Sequence, residues 1–186
     1  RHDEMKGAAG PRFQEGCDMR MLVLGAGLQG SACAYDLLNS EGVSRIRLAD
    51  QQIDRLPPFL QPYVGDDRLE LVKVDARDPD SVRRVMEGVD ACMNALPYYF
   101  NLDITKLAVE AGIHYCDLGG NTAIVFDQLK LDDEATKRGI SVIPDCGLAP
   151  GMVNILAAKG IESMDRADTV KIRVGGLPQN PEPPLN

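Results

Sequence analysis

Three observations predict that this 186-residue chain folds as an α/β protein on a doubly wound parallel sheet. From Met19 onward, short apolar runs alternate with longer amphipathic ones, which is the rhythm of successive βαβ units. A glycine-rich turn, Gly25-Ala26-Gly27-Leu28-Gln29-Gly30, separates the first apolar run from the first amphipathic stretch. Gly88, Gly112 and Gly139 each follow an amphipathic stretch, as the glycine that ends a helix does.

The elements follow in order. Met19, Met21, Leu22, Val23 and Leu24 crowd the first run, so residues 20–24 read as a buried strand, and residues 28–39 as the helix after it. Residues 45–49 form the second strand, followed over residues 51–63 by a weak helical pattern that Pro57, Pro58 and Pro62 interrupt. The third strand is residues 69–74. A helix over residues 79–87 starts on Pro79 in its first turn, with Asp78 as N-cap. Strands at residues 91–95, 114–118 and 141–144 complete the sheet, with helices at residues 102–111 and 123–138 between them. Short connections favour the strand order 3-2-1-4-5-6.

Residues 1–18 mix Gly, Pro and charge without periodicity and read as a disordered leader. Residues 19–150 are the dinucleotide-binding domain. Residues 151–186 bring a connecting helix and, over residues 170–176, a strand that begins something new; the prolines after it cannot close a domain.

Composition excludes several classes of function. The 20 basic and 28 acidic side chains leave a net charge of −8 with no Lys/Arg cluster, which argues against nucleic acid as a partner. No apolar run approaches the roughly 20 residues that cross a bilayer, and no apolar signal segment opens the chain, so a cytoplasmic protein without membrane contact is expected. Cys17, Cys33, Cys92, Cys116 and Cys146 are scattered, and His2 and His114 stand beside none of them at ligand spacing. No metal is expected.

The chemistry concentrates at strand ends. Gly25 allows a tight turn, Gly27 lets a pyrophosphate approach the backbone, and Gly30 lets the helix pack close; with Leu28 and Gln29 at the positive end of that helix, the turn is a cofactor cradle of a Rossmann-like sheet. Asp50 lies 20 residues beyond Gly30 at the end of the second strand. There it accepts from a ribose 2′-hydroxyl and repels a 2′-phosphate, which favours NAD over NADP. Arg55 reads as a solvated helix face. Asp75 and Ala76 end the third strand at the adenine edge. Asn94, Ala95, Leu96 and Pro97 end the fourth beside the nicotinamide ribose. Asn94, Asp117 and Asp145 converge at one edge of the sheet, where a carboxylate suits a cationic amine. The turns holding Gly120 and Asn121, and the helix start at Pro150 and Gly151, offer backbone N–H groups to a substrate carboxylate. Tyr98 and Tyr99 are candidates to wall the nicotinamide pocket. Cys116 faces away from Asp117, and His114 opens its strand at the far edge.

The segments "LGAGLQG", "VDARD", "NALPYYFN", "DLGGN", "DCGLAPGMVNILA" and "VGGLPQNPEPPL", in that order, resemble the saccharopine dehydrogenase family, and most closely its lysine 6-dehydrogenase branch. The resemblance spans residues 19–186. It implies an NAD-dependent oxidative deamination of the terminal amine of L-lysine, with Asp117 first and Asp145 second as catalytic carboxylates. It also implies a second α/β domain, truncated here, that supplies substrate contacts and a homo-oligomer interface. Two alternatives stay open. One is a saccharopine- or carboxynorspermidine-forming reductase using NADP(H), against which Asp50 argues; the other is a dinucleotide-binding module without catalysis.

Overall fold

A computed structural model of the chain describes residues 18–175. The expected leader, apart from Asp18, and the proline-rich residues 176–186 lie outside the described residues.

Six parallel strands form one sheet: β1 (Met19–Leu24), β2 (Val43–Asp50), β3 (Leu69–Lys73), β4 (Ala91–Asn94), β5 (His114–Asp117) and β6 (Val142–Ile143). Their order is β3-β2-β1-β4-β5-β6, as the connection rules predict. The sheet is covered on both faces, and alternation along each strand sorts the side chains. Leu22, Leu24, Ala49, Cys92 and Tyr115 pack with Val82, Val85 and Met86 of α2 (Pro79–Met86) and Ile104, Leu107 and Ala108 of α3 (Asn101–Ala111). Val23, Ile46 and Leu48 point the other way, onto Ala34 and Leu38 of α1 (Leu28–Leu38) and onto Ile53 and Leu60. Each fully buried Leu or Ile contributes roughly 1.5–3 kcal/mol of transfer free energy, so the two apolar layers dominate the stability.

The helix ends follow local chemistry. Asp78 caps α2 by accepting from Asp80 N–H at 3.1 Å, while Gly112 and Gly139 close their helices at φ +71° and +67°.

Three expected elements differ. The weak helix at residues 51–63 is a series of turns ending in one short 3₁₀ turn, Gln61–Tyr63, because three prolines remove the donors a helix needs. The segment holds by burying Ile53 and Leu60 and by setting Phe59 and Tyr63 edge-on to Tyr35 of α1, with ring centroids 6.2 and 5.4 Å away. The single helix expected over residues 123–138 is two, α4 (Thr122–Leu129) and α5 (Asp132–Arg138). Asp132, Asp133 and Glu134 crowd the first turn of α5, where three carboxylates favour a new N-terminus over a helix interior. Residues 170–175 form no strand, since no neighbour among the described residues pairs with them. The preceding helix, α6 (Met152–Glu162), is present as expected, and Met152, Ile155 and Leu156 on it are exposed.

Candidate dinucleotide and substrate site

The turn after β1 is pre-shaped for an anion. Gly25 adopts φ +96°, and a Cβ there would press on the Ala95 carbonyl. A Cβ on Gly30 would overlap the Gly25 carbonyl, whereas nothing lies within 4 Å of the Cβ position of Gly27. The three glycines thus do different work: two permit close packing, and the middle one leaves open space for a ligand. Ala26 is held on both sides. Its N–H donates to Asp50 Oδ2 at 2.8 Å, and its carbonyl accepts from the buried Ser31 hydroxyl at 2.9 Å. The first main-chain bond of α1 runs from Ser31 N–H to Gly27 at 2.9 Å. Leu28, Gln29 and Gly30 N–H therefore have no acceptor among the described residues, and they form the positive end of α1.

Beside this turn a cavity of about 290 Å³ is lined by Asp50, Asp75, Ala76, Leu96 and Pro97, five of the residues expected to hold the cofactor. Arg77, Tyr99 and Phe100 line it as well, so Tyr99 belongs at this end rather than at the nicotinamide. Asp50 Oδ1 accepts from Gln52 N–H at 2.6 Å, so both of its oxygens are anchored while the group stays partly exposed. Asp75 is gripped by the Arg77 guanidinium, at 2.6 Å from Oδ2. That hydrogen bond, with a second from Arg77 N–H, lowers its carboxyl to about 2. The open Gly27, the free N–H groups and the apolar-walled cavity with a carboxylate at its rim fit a pyrophosphate and an adenosine.

Asn94 does not contribute as expected. It is fully buried; its amide donates to Asn101 Oδ1 at 3.1 Å and Tyr115 Oη at 3.0 Å, and its carbonyl accepts from Leu96 N–H at 3.1 Å. It shapes the turn and offers no free polar atom to a ribose. Ala95 serves through its backbone and methyl, against which Gly25 and Gly30 close.

At the ends of β5 and β6 the two candidate carboxylates separate. Asp117 is fully buried, and its oxygens accept from Gly119 N–H at 2.7 Å, Asp145 N–H at 3.2 Å and Gln128 Nε2 at 2.6 Å. A group so enclosed cannot take a proton from a substrate amine, so the base expected at Asp117 is corrected to a structural anchor. Asp145 is partly exposed and sits at φ +61°, and its carboxylate has no hydrogen-bond or ion-pair partner among the described residues. Its carboxylate lies over Gly119, where a Cβ would overlap Oδ1.

The remaining substrate candidates divide. Tyr98 is 45% exposed and packs against Gly120, leaving no room for a side chain at that glycine. Gly120 N–H has no acceptor among the described residues. Asn121 spends its side-chain oxygen on capping α4, accepting from Ala123 and Ile124 N–H at 3.0 and 3.3 Å. The helix start at Pro150 and Gly151 is closed too: Gly151 N–H donates to Asn154 Oδ1 at 3.0 Å, and Met152 and Val153 N–H donate to Gly147 and Leu148 carbonyls at 2.8 and 3.1 Å. The anion site expected there is therefore filled from within.

His114 lies at the opposite edge, where Nδ1 accepts from Ser141 N–H at 3.0 Å. Cys116 turns to the other face of β5, 3.6 Å from Met93 Sδ, and burial pushes its thiol up to about 12. Burial also pushes Cys33 up to about 11, so neither offers a thiolate near neutrality. Among the described residues no group of three His, Cys, Asp or Glu stands together as a metal-ligand set, and no helix is long and apolar enough to cross a membrane. Sequence reasoning missed Ser31, Asn101, Thr105 and Gln128, all buried and polar. A polar residue at a core-facing helical position was the only available signal.

The family model described as "Saccharopine dehydrogenase NADP binding domain" matches residues 21–143. Among curated proteins, saccharopine dehydrogenase [NADP(+), L-glutamate-forming] of Schizosaccharomyces pombe is 24% identical over 164 residues, covering 85% of this chain and 34% of that protein. The protein of the same name from Saccharomyces cerevisiae is 27% identical over 96 residues, 52% of this chain and 21% of its own length. The chain thus spans between about a fifth and about a third of the length of these relatives. The solved apo structure of the Saccharomyces cerevisiae saccharopine dehydrogenase (L-Glu forming) superposes with a TM-score of 0.63 at 21% identity, covering 77% of this chain and 31% of that one, a likeness of fold. With two thirds of its length matched by the family's nucleotide-binding domain, this chain belongs to the saccharopine dehydrogenase family.

Proposed function

We propose that the chain is the cofactor-binding part of a nicotinamide-dependent oxidoreductase acting on the carbon–nitrogen bond of an amino acid, with the terminal amine of L-lysine as substrate and NAD as cofactor. The single observation that carries the cofactor choice is Asp50, a carboxylate tied at both oxygens and set at the rim of the adenosine cavity, where a 2′-phosphate would meet negative charge. When bound, the nicotinamide supplies the acceptor for a hydride.

The chain's own residues do the rest. Leu28, Gln29 and Gly30 N–H bind the pyrophosphate, and Asp50 receives ribose hydroxyls. An alkylammonium has a pKa of roughly 10.4 and must lose a proton before its carbon can give up hydride. Asp145 is the carboxylate left free for that task, holding the ammonium and then taking its proton. Tyr98 flanks it, and Gly120 N–H is a donor for a substrate carboxylate. The resulting imine adds water and releases ammonia, leaving an aldehyde.

A second reading is a saccharopine-type reductase using NADP(H). It is favoured by Arg77 on the wall of the same cavity and by the names of the relatives. Incubating the complete protein with each cofactor and following reduced nicotinamide by absorbance separates the two. Lysine turnover with NAD is expected, and Asp145→Asn should lower kcat by on the order of 10²-fold, as loss of a positioned base does. Activity only with NADPH, an aldehyde and an amino acid would replace the first reading with the second. Cofactor retention without any turnover would leave a binding module.

A further inference from the structure

The polar interior of this domain is concentrated in one place. Of the six buried polar side chains among the described residues, Ser31, Asn94, Asn101, Thr105, Asp117 and Gln128, all but Ser31 belong to a single network where β4 and β5 end. Gln128 Nε2 bridges Asp117 Oδ2 at 2.6 Å and Thr105 Oγ1 at 2.7 Å, and Thr105 donates to the Asn101 carbonyl at 2.7 Å. Asp117 thereby ties α4 and α3 to the strand ends. Its other oxygen takes Gly119 N–H from the loop after β5 and Asp145 N–H from the loop after β6. Its main-chain carbonyl accepts from Cys146 N–H at 2.7 Å.

We infer that Asp117, held by Gln128, is a positioning residue that locks the β5 and β6 loops to each other and keeps Asp145 in the left-handed backbone conformation that presents its carboxylate. The consequence for Asp145 is specific. A non-glycine residue at φ +61° sits in a sparsely populated region. Strain of that kind persists when surrounding contacts over-determine it. Here those contacts are the Asp145 and Cys146 N–H bonds to Asp117, and the packing of the Asp145 carboxylate over Gly119. Removing the Asp117 carboxylate leaves the buried Gln128 amide and the part-buried Gly119 and Asp145 N–H groups unpaired at once, so both loops should loosen together. The cofactor turn is clamped by Asp50 and Ser31, neither of which bonds to Asp117 or Gln128, so it should hold when the two loops loosen.

Two variants separate a lock from a base. Asp117→Asn keeps an oxygen for Gly119 and Asp145 N–H, whereas Asp117→Ala keeps none. In the complete protein, hydrogen exchange of peptides over residues 117–121 and 143–147 should quicken in both by on the order of tenfold in Asp117→Ala and by less in Asp117→Asn, while residues 25–30 and the cofactor Kd stay at parent values. This arm is independent of any reaction. Exchange that changes in one loop or in neither overturns the inference. Should Asp117→Ala not fold, Asp117→Asn decides: modest loosening of both loops supports the lock, and parent-like exchange in both sinks it.

The turnover arm rests on the oxidoreductase reading proposed above. Asp117→Asn should retain at least roughly a tenth of kcat with an unchanged cofactor KM, since a lock tolerates an amide where a proton acceptor does not. Loss of turnover in Asp117→Asn as complete as in Asp145→Asn, with both loops still protected, would make Asp117 a base and overturn the inference. Absence of turnover in the parent would refute the enzyme reading alone, and the exchange result would still decide the lock.

Discussion

The two halves of the sheet's C-terminal edge treat polar groups in opposite ways. Around β1 and β2 the backbone donors of Leu28, Gln29 and Gly30 are left open while side chains hold the turn from behind. Around β5 and β6 nearly every comparable group is consumed: Asn121 caps α4, Asn154 closes the start of α6, and Asp117 collects three donors. An edge that must bind a charged diphosphate needs unsatisfied N–H groups, and solvent satisfies them until the ligand arrives. An edge built around one anchored carboxylate is held rigid instead, because Asp117 ties the strand-end loops to α4. Substitutions in the cofactor turn should therefore split into those that break the fold and those that break only binding.

The largest effect is expected at Gly30. A methyl there overlaps the Gly25 carbonyl and comes 3.3 Å from Ala95 Cβ, so helix and turn must separate. Gly30→Ala should cost about 3 kcal/mol of stability in a urea titration and abolish cofactor retention. A parent-like midpoint would show that the turn yields freely. Gly27→Ala is the sharper test, because its Cβ position is empty to 4 Å and its φ of −67° suits any residue. Stability should hold within about 0.5 kcal/mol while cofactor Kd rises on the order of tenfold or more as the methyl occupies the phosphate's approach. Equal Kd in variant and parent would move the diphosphate elsewhere.

Asp50 comes next, because it belongs to both roles. Replacing it by Ala frees Ala26 N–H and weakens the turn for either cofactor, whereas Asp50→Asn keeps an acceptor for that N–H and removes the charge. Asp50→Asn should shift the NAD-to-NADP affinity ratio toward NADP by on the order of tenfold. An unmoved ratio would take specificity away from this residue and give weight to Arg77.

Much of this contrast was legible in the sequence, and the part that was not has a common cause. Alternating apolar runs and the Gly25 to Gly30 turn are local signals, so strands, their order and the cofactor cradle followed from short stretches read in isolation. Asp117 looked like a catalytic carboxylate because it ends a strand at the cofactor edge and lies in the family-like segment "DLGGN". Its actual surroundings come from Gln128 and Thr105, 11 and 12 residues away on different helices. Asn94 was read as ligand-binding from its place at a strand end and Asn121 from its place in a glycine turn, and each spends its side-chain carbonyl on a turn or cap within three residues. The strand expected at residues 170–176 fails differently. A strand exists only beside a partner, and none of the described residues supplies one.

The smallest expected effect probes the wall of the cavity. Arg77 holds the Asp75 carboxyl at about 2, below its ordinary 3.8, first through its side chain and then through its own N–H. Because the folded value is the depressed one, the pair favours the folded protein fully above pH 3.8, and that contribution fades as pH falls toward 2. Both partners face solvent, so the shift is better read by NMR titration of the Asp75 carboxyl than by unfolding. In Arg77→Gln the midpoint should climb from about 2 but stop short of 3.8, because the residue 77 N–H, at 3.0 Å from Oδ1, still donates. A midpoint that stays near 2 would assign the whole effect to the backbone. The guanidinium would then be free to turn into the cavity, which is the arrangement a 2′-phosphate requires and the one in which Arg77, rather than Asp50, decides the cofactor.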